Sequence, residues 1–136
     1  MTPAEMAALH AACFTVPRPW SAAEFADLLA SPLVFVSSES GGFAMGRAVA
    51  GEMELLTLAV DPAQRRRGVG RLLVTAILAE AKDRGAGRAF LEVLPDNAAA
   101  ISLYLQAGFT ICGRRKGYYH PPGGPACDAL ILERTL

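Results

Sequence analysis

Between an apolar run, Leu55 to Val60, and an amphipathic stretch beginning near Gly70 lies the segment Asp61-Pro62-Ala63-Gln64-Arg65-Arg66-Arg67-Gly68-Val69-Gly70-Arg71. A strand that enters a helix through a basic, glycine-bearing turn restricts the chain to folds in which a helix N-terminus abuts a strand end. The first amides of a helix have no intrahelical partner and carry the positive end of the macrodipole, so such a turn is a seat for an anion. Without a Cβ at positions 68 and 70, the backbone can bend tightly and admit a bulky diphosphate. Three consecutive arginines add charge. Two familiar phosphate loops do not fit: no lysine followed by Ser or Thr closes the turn, and Leu73 stands where a dinucleotide fingerprint needs its third glycine.

A second block lies downstream. Ala89 to Leu94 is a strand of aromatic, aliphatic and β-branched residues, Pro95-Asp96 turns the chain, and Asn97 is placed to cap a helix over 97–107. The first block matches the pattern [QR]-x-x-G-x-[GA] through Arg65, Gly68 and Gly70. The second reads L-E-V, a turn, N-x-x-A-x-x-L-Y, then Gly108-Phe109. In this order and separation the two blocks resemble the acyl-CoA-binding half of the GNAT superfamily of N-acetyltransferases. Within it, Leu58-Ala59-Val60-Asp61-Pro62, Leu91-Glu92-Val93, Asn97 to Ile101, Leu103-Tyr104 and Gly117-Tyr118-Tyr119 resemble the ribosomal-protein-alanine N-acetyltransferases. The likeness runs from about Pro17 to the C-terminus. Little chain precedes the first helix, so the opening strand usual in that family is expected to be missing or reduced.

The resemblance implies an α/β (α+β) fold in one domain, residues 1–136. Its sheet is mixed and mostly antiparallel, of about six or seven strands, with two splayed parallel central strands and four helices. Local signals agree: helices over Pro3 to Cys13 and from a capping box at Ser21-Ala22-Ala23-Glu24 to about Ser31-Pro32, then a meander over 33–38, 42–49 and 53–60. A helix from Gly70 ends at Gly85; after the second block come strands near 110–116 and 127–134, with Tyr118 to Pro125 as a loop.

Composition narrows the partners. With 136 residues, 52% hydrophobic and 19% charged, the chain is long enough to bury a core. A formal net charge of zero argues against nucleic acid, since Arg65 to Arg67 and Arg114 to Lys116 are local clusters balanced elsewhere. No apolar run reaches the ~20 residues of a membrane span and no secretory profile opens the chain, so a cytoplasmic location is expected. Cys13, Cys112 and Cys127 show no C-x-x-C spacing, and neither a disulfide framework nor a metal site is indicated. His10 and His120 are each expected to be packed or solvated.

Acyl transfer to an amine needs a neutral nucleophile, an oriented thioester and an acid for the departing thiolate. An α-amine makes the first demand mild: its reference pKa of ~7.7–8.0, against ~10.4 for lysine, lowers the deprotonation cost near neutral pH by ~3 kcal/mol. The resemblance implies acetyl-CoA as co-substrate, its acyl arm along Leu58, Ala59 and Val60 and its diphosphate on the amides of Arg66, Arg67, Gly68, Val69, Gly70 and Arg71, with Arg65 adding charge. Asn97 is either a further coenzyme contact or simply a helix cap. Glu92 is implied as proton acceptor, in an apolar setting that would raise its carboxyl's affinity for a proton; the alternative is an ion pair with Arg88. Tyr104 is implied as general acid, with a plain core tyrosine as the alternative. Trp20, Tyr118 and Tyr119 border an acceptor channel or merely pack. The implied activity is acetylation of the N-terminal α-amine of a protein, with a ribosomal protein as the acceptor the resemblance implies; a small-molecule amine, or acetyl-CoA binding without turnover, would use the same half of the fold.

Overall fold

Reciprocal caps open the first two helices of the computed structural model, which describes all residues from Met1 to Leu136. At α1, Pro3–Cys13, the Thr2 hydroxyl accepts from the Glu5 amide while the Glu5 carboxylate accepts from the Thr2 amide, each at 3.1 Å. Ser21 and Glu24 do the same for α2, Ala22–Leu29. The meander β1 (Val34–Glu39), β2 (Gly42–Val49) and β3 (Glu52–Val60) follows. A 3₁₀ turn, Pro62–Gln64, leads to α3 (Val69–Asp83), then β4 (Arg88–Val93), α4 (Ala98–Gln106), β5 (Thr110–Tyr119) and β6 (Cys127–Thr135).

These strands form one sheet in the order β1-β2-β3-β4-β6-β5, in which only β3 and β4 run parallel. Alternation along β2 splits the core between its faces. Ala44 joins Met53, Leu55, Leu91 and Leu132 under Leu73, Ile77 and Leu78 of α3, whereas Phe43 and Met45 join Met6 of α1, Phe25 of α2 and Ala59. No strand precedes α1, and the sheet has six strands, the lower of the two expected numbers.

One irregularity shapes the middle of the sheet. Thr57 pairs with Met45 but Leu55 pairs with Gly46, so Leu56 is an extra residue on β3. Such a bulge bends and twists its strand, and it exchanges the faces of everything beyond it. Met53 and Leu55 accordingly pack toward α3, whereas Ala59 packs toward α1 and α2. Parallel pairing with β4 stops just short of the bulge: Glu52↔Arg88, Met53↔Ala89 and Glu54↔Phe90 are its three rungs. Past them the strands part.

The late segment differs from expectation. Tyr118 and Tyr119 lie in β5 rather than in a loop, and Tyr119 is paired with Cys127. The register shift between Arg115 and Tyr119 absorbs Gly117 as an irregularity, so the aromatic pair continues the strand and the prolines begin the loop only afterwards.

Candidate active site

The basic turn is held from below. Asp61 donates its amide to the Gly41 carbonyl at 2.7 Å, and its carboxylate accepts from the Ala63 amide at 2.9 Å, capping the 3₁₀ turn. Above this anchor Arg66 takes φ +67° and Gly68 φ +78°. The left-handed region suits glycine and strains arginine by ~1 kcal/mol or more, a concentration of strain typical of ligand-binding turns. The first helical bond of α3 is Leu72 to Gly68, 3.1 Å, and no side chain caps the helix. The amides from Arg66 to Arg71 therefore have no partner in the chain. Arg65, Arg66, Arg67 and Arg71 are exposed and none forms a salt bridge.

The two glycines of the turn have separate tasks. A Cβ on Gly68 would meet nothing within 4 Å, which leaves the space above the turn open to a ligand. A Cβ on Gly70 would lie 3.0 Å from Leu103 Cδ2, so that glycine lets α3 and α4 approach each other at the mouth of the gap.

Backbone alternation decides what β3 offers across the gap. The Asp61–Gly41 bond makes that pair a hydrogen-bonded one, and every second pair inward, including Ala59–Phe43, is of the same type. Ala59 is thus engaged by β2, in contrast to the expected trio, while the backbone groups of Leu58 and Val60 point toward β4. The Cys13 thiol at the end of α1 donates to the Val60 carbonyl at 3.2 Å.

Glu92 sits on β4, paired with Ile131 of β6, and faces the Arg115 guanidinium at 3.2 Å. Neither expected setting is found: the carboxylate meets a cation rather than an apolar pocket, and Arg88 is bound to Glu52 (3.1 Å) and Glu133 (2.7 Å) instead. One strand, β6, separates Arg115 from Glu92 in sheet order, so local spacing held no trace of the pair beyond the basic run 114–116. Tyr118 and Tyr119 belong to the same group, with ring centroids 5.1 Å apart and Arg115 5.1 Å over the Tyr118 ring. Burial, then the nearby Glu92 and Tyr118, push the Tyr119 hydroxyl up to about 12.

Tyr104 is buried in α4 against Phe109, ring centroids 5.9 Å apart. Burial holds its phenol well above the ordinary tyrosine range, so it keeps its proton. The hydroxyl makes no hydrogen bond in the chain, yet no fully buried side-chain oxygen lacks a partner; it therefore borders open space. Asn97 caps α4, its Oδ1 accepting from the Ala100 amide at 3.2 Å, which leaves its NH₂ donors free. Trp20 lies elsewhere, stacked on His10 (5.0 Å) and tilted against Phe25 (5.4 Å) between α1 and α2.

A mixed sheet parted between its only parallel strands, with an unpartnered amide turn at the mouth, defines the class of acyl-coenzyme A transferases. The chain belongs to the acetyltransferase (GNAT) family, whose model matches residues 4–109. It is an N-acetyltransferase with acetyl-CoA as co-substrate. Over 137 aligned residues it is 39% identical to the N-alpha-acetyltransferase RimI of Mycobacterium tuberculosis, covering 94% of this chain and 83% of that one. The crystal structure of the ribosomal-protein-S18-alanine N-acetyltransferase from Escherichia coli superposes with a TM-score of 0.83 at 30% identity, over 98% of this chain and 86% of that one. NAA60 of Arabidopsis thaliana, solved in complex with acetyl-CoA, shares the fold with a TM-score of 0.85 at 17% identity, over 98% and 93% of the two chains.

Proposed function

We propose that residues 1–136 form one catalytic domain that transfers the acetyl group of acetyl-CoA to the N-terminal α-amine of a protein, a ribosomal protein with N-terminal alanine being the first candidate. The observation that carries this reading is the gap between β3 and β4 beyond Glu54 and Phe90, opening at amides that nothing in the chain occupies. The amides from Arg66 to Arg71 suit a diphosphate, and the guanidiniums of Arg65, Arg66, Arg67 and Arg71, none of them in a salt bridge, complement its charge. Leu58 and Val60 supply the backbone groups for an added strand of pantetheine, with the free Asn97 amide beside it.

In the reaction, the Glu92 carboxylate accepts the proton of the incoming ammonium, directly or through water. The neutral amine attacks the thioester carbonyl, the C–N bond forms, the C–S bond breaks, Tyr104 gives its proton to the departing thiolate, and the surplus proton on the acylated nitrogen passes through water to restore the Tyr104 phenol. A phenol that burial keeps protonated is suited to wait for that thiolate. Tyr118 and Tyr119 flank the acceptor beside Glu92; Trp20, bound to His10, supports the α1–α2 side of the entrance. A ribosomal acceptor implies work in the cytoplasm.

The test is acetyl-CoA turnover across a panel of N-terminal peptides, with an N-blocked lysine peptide and spermidine as controls. Preference for peptides beginning with alanine is expected; dominant turnover of spermidine would replace this reading with a small-amine acetyltransferase.

A further inference from the structure

Arg115 reaches Glu92 across β6. Arg115 is paired with Ala129 and Glu92 with Ile131, so the guanidinium passes diagonally over a small side chain to stand 3.2 Å from the carboxylate. Glu92 retains 16% of its side-chain surface and Arg115 53%, which puts the cation on the solvent side. Among the other charges around this hairpin, Arg114 binds Asp128 at 3.0 Å, Arg88 binds Glu52 and Glu133, and Lys116 on β5 forms no salt bridge. Tyr119 is neutral at physiological pH. From β6 the pair meets Ala129 and Ile131, both apolar, while α1 and α2 pack over Phe43, Met45 and Ala59 in the other half of the sheet. Glu92 and Arg115 thus form a matched pair beside Tyr118 and Tyr119.

A lone carboxylate in this position would attract any ammonium and favour its charged form, drawing in lysine side chains and polyamines. A carboxylate already paired gives a permanent cation little net attraction, yet still accepts a proton from an amine that releases it near neutral pH. We propose that Arg115 is a positioning and specificity-determining residue: it aims the Glu92 carboxylate into the gap and cancels its charge, so that the site selects α-amines over more basic amines that stay protonated at neutral pH. This rests on Glu92 as the proton acceptor. The guanidinium suits the task because its delocalised charge stands 3.2 Å from the carboxylate while it lies over the Tyr118 ring, which an ammonium point charge does less well.

The test compares Arg115→Gln, Arg115→Lys and Glu92→Gln with the native full chain, on an alanine-starting peptide, an N-blocked lysine peptide and spermidine. Arg115→Gln is expected to lower peptide kcat about tenfold with the KM for acetyl-CoA unchanged, and to raise the spermidine-to-peptide ratio of kcat/KM about tenfold. Arg115→Lys, which keeps the charge, should hold that ratio near the native value. A native ratio in Arg115→Gln overturns the assignment, whatever happens to kcat, and so does a ratio in Arg115→Lys as high as in Arg115→Gln. Glu92→Gln separates the two levels: if it is inactive while Arg115→Gln keeps the native ratio, only the role of Arg115 falls, whereas full turnover by Glu92→Gln removes the proton acceptor and both readings with it.

Discussion

Acidification from pH 7 to pH 5 is expected to remove about 2 kcal/mol of folding stability through His10 alone. The imidazole is 1% exposed; its Nδ1 accepts from the Trp20 amide at 3.0 Å, and its Nε2 lies 3.0 Å from the Thr57 hydroxyl. An accepting nitrogen carries no proton, so the Trp20 bond assigns the hydrogen to Nε2, which donates to Thr57. Charging the ring would break the first bond and bury a cation. Burial accordingly lowers the pKa from 6.5 to about 4, against a small opposing pull from Glu24. At pH 7 folded and unfolded chains both hold a neutral ring. Between 6.5 and 4 the unfolded chain takes up a proton that the folded one refuses, so stability falls as pH falls, and below 4 the loss levels off near 3 kcal/mol at about 1.4 kcal/mol per unit. The lowered carboxyls of Glu5 and Glu24 act only below their ordinary value of 4.5, which leaves the window from pH 7 to 5 clear of them. Urea unfolding at several pH values, followed by the fluorescence of the single tryptophan, measures this directly because Trp20 stacks on the ring in question. The control is His10→Gln, which cannot titrate. Stability curves of native protein and variant that run parallel from pH 7 to 5 would refute the reasoning.

Tyr104→Phe should lower kcat by ~10² or more with the KM for acetyl-CoA nearly unchanged, and unchanged steady-state turnover would remove Tyr104 from the mechanism. Replacing Arg66 and Arg67 together by Gln should raise the KM for acetyl-CoA about tenfold or more and flatten its dependence on ionic strength, leaving kcat at saturation close to native. Gly42→Ala places a Cβ 3.0 Å from the Ala59 carbonyl and from Leu73 Cδ1 and 3.1 Å from Val69 Cγ1; it should cost ~1–3 kcal/mol in urea unfolding and weaken coenzyme A binding, since Val69 opens α3.

Element types and order were readable along the chain because capping boxes, turn glycines and apolar periodicity are local signals; α1 and β2 fall on the expected residues. The bulge at Leu56 was not readable. From Leu55 to Val60 every residue but Thr57 is apolar, so a period of two leaves no mark where the faces exchange. Glu92 was singled out as proton acceptor, but the alternative weighed for it was an ion pair with Arg88, because one strand displays only neighbours on its own face; Arg115 belongs to a strand two places away in sheet order. Proline and glycine after position 120 pulled the expected loop back over Tyr118 and Tyr119, although aromatic side chains favour the strand they occupy.

The extra residue at Leu56 gives the molecule an open seam in the middle of its own sheet, where most proteins confine unmated backbone to the outer margins. A pantetheine arm laid into that seam would complete the missing rungs and tie together the strands that carry both hydrophobic layers. Thermal resistance should then rise with every tenfold increase in free coenzyme above its dissociation constant, by about 1.4 kcal/mol each time. The lifetime of the enzyme in a cell becomes tied in this way to the supply of the metabolite it consumes.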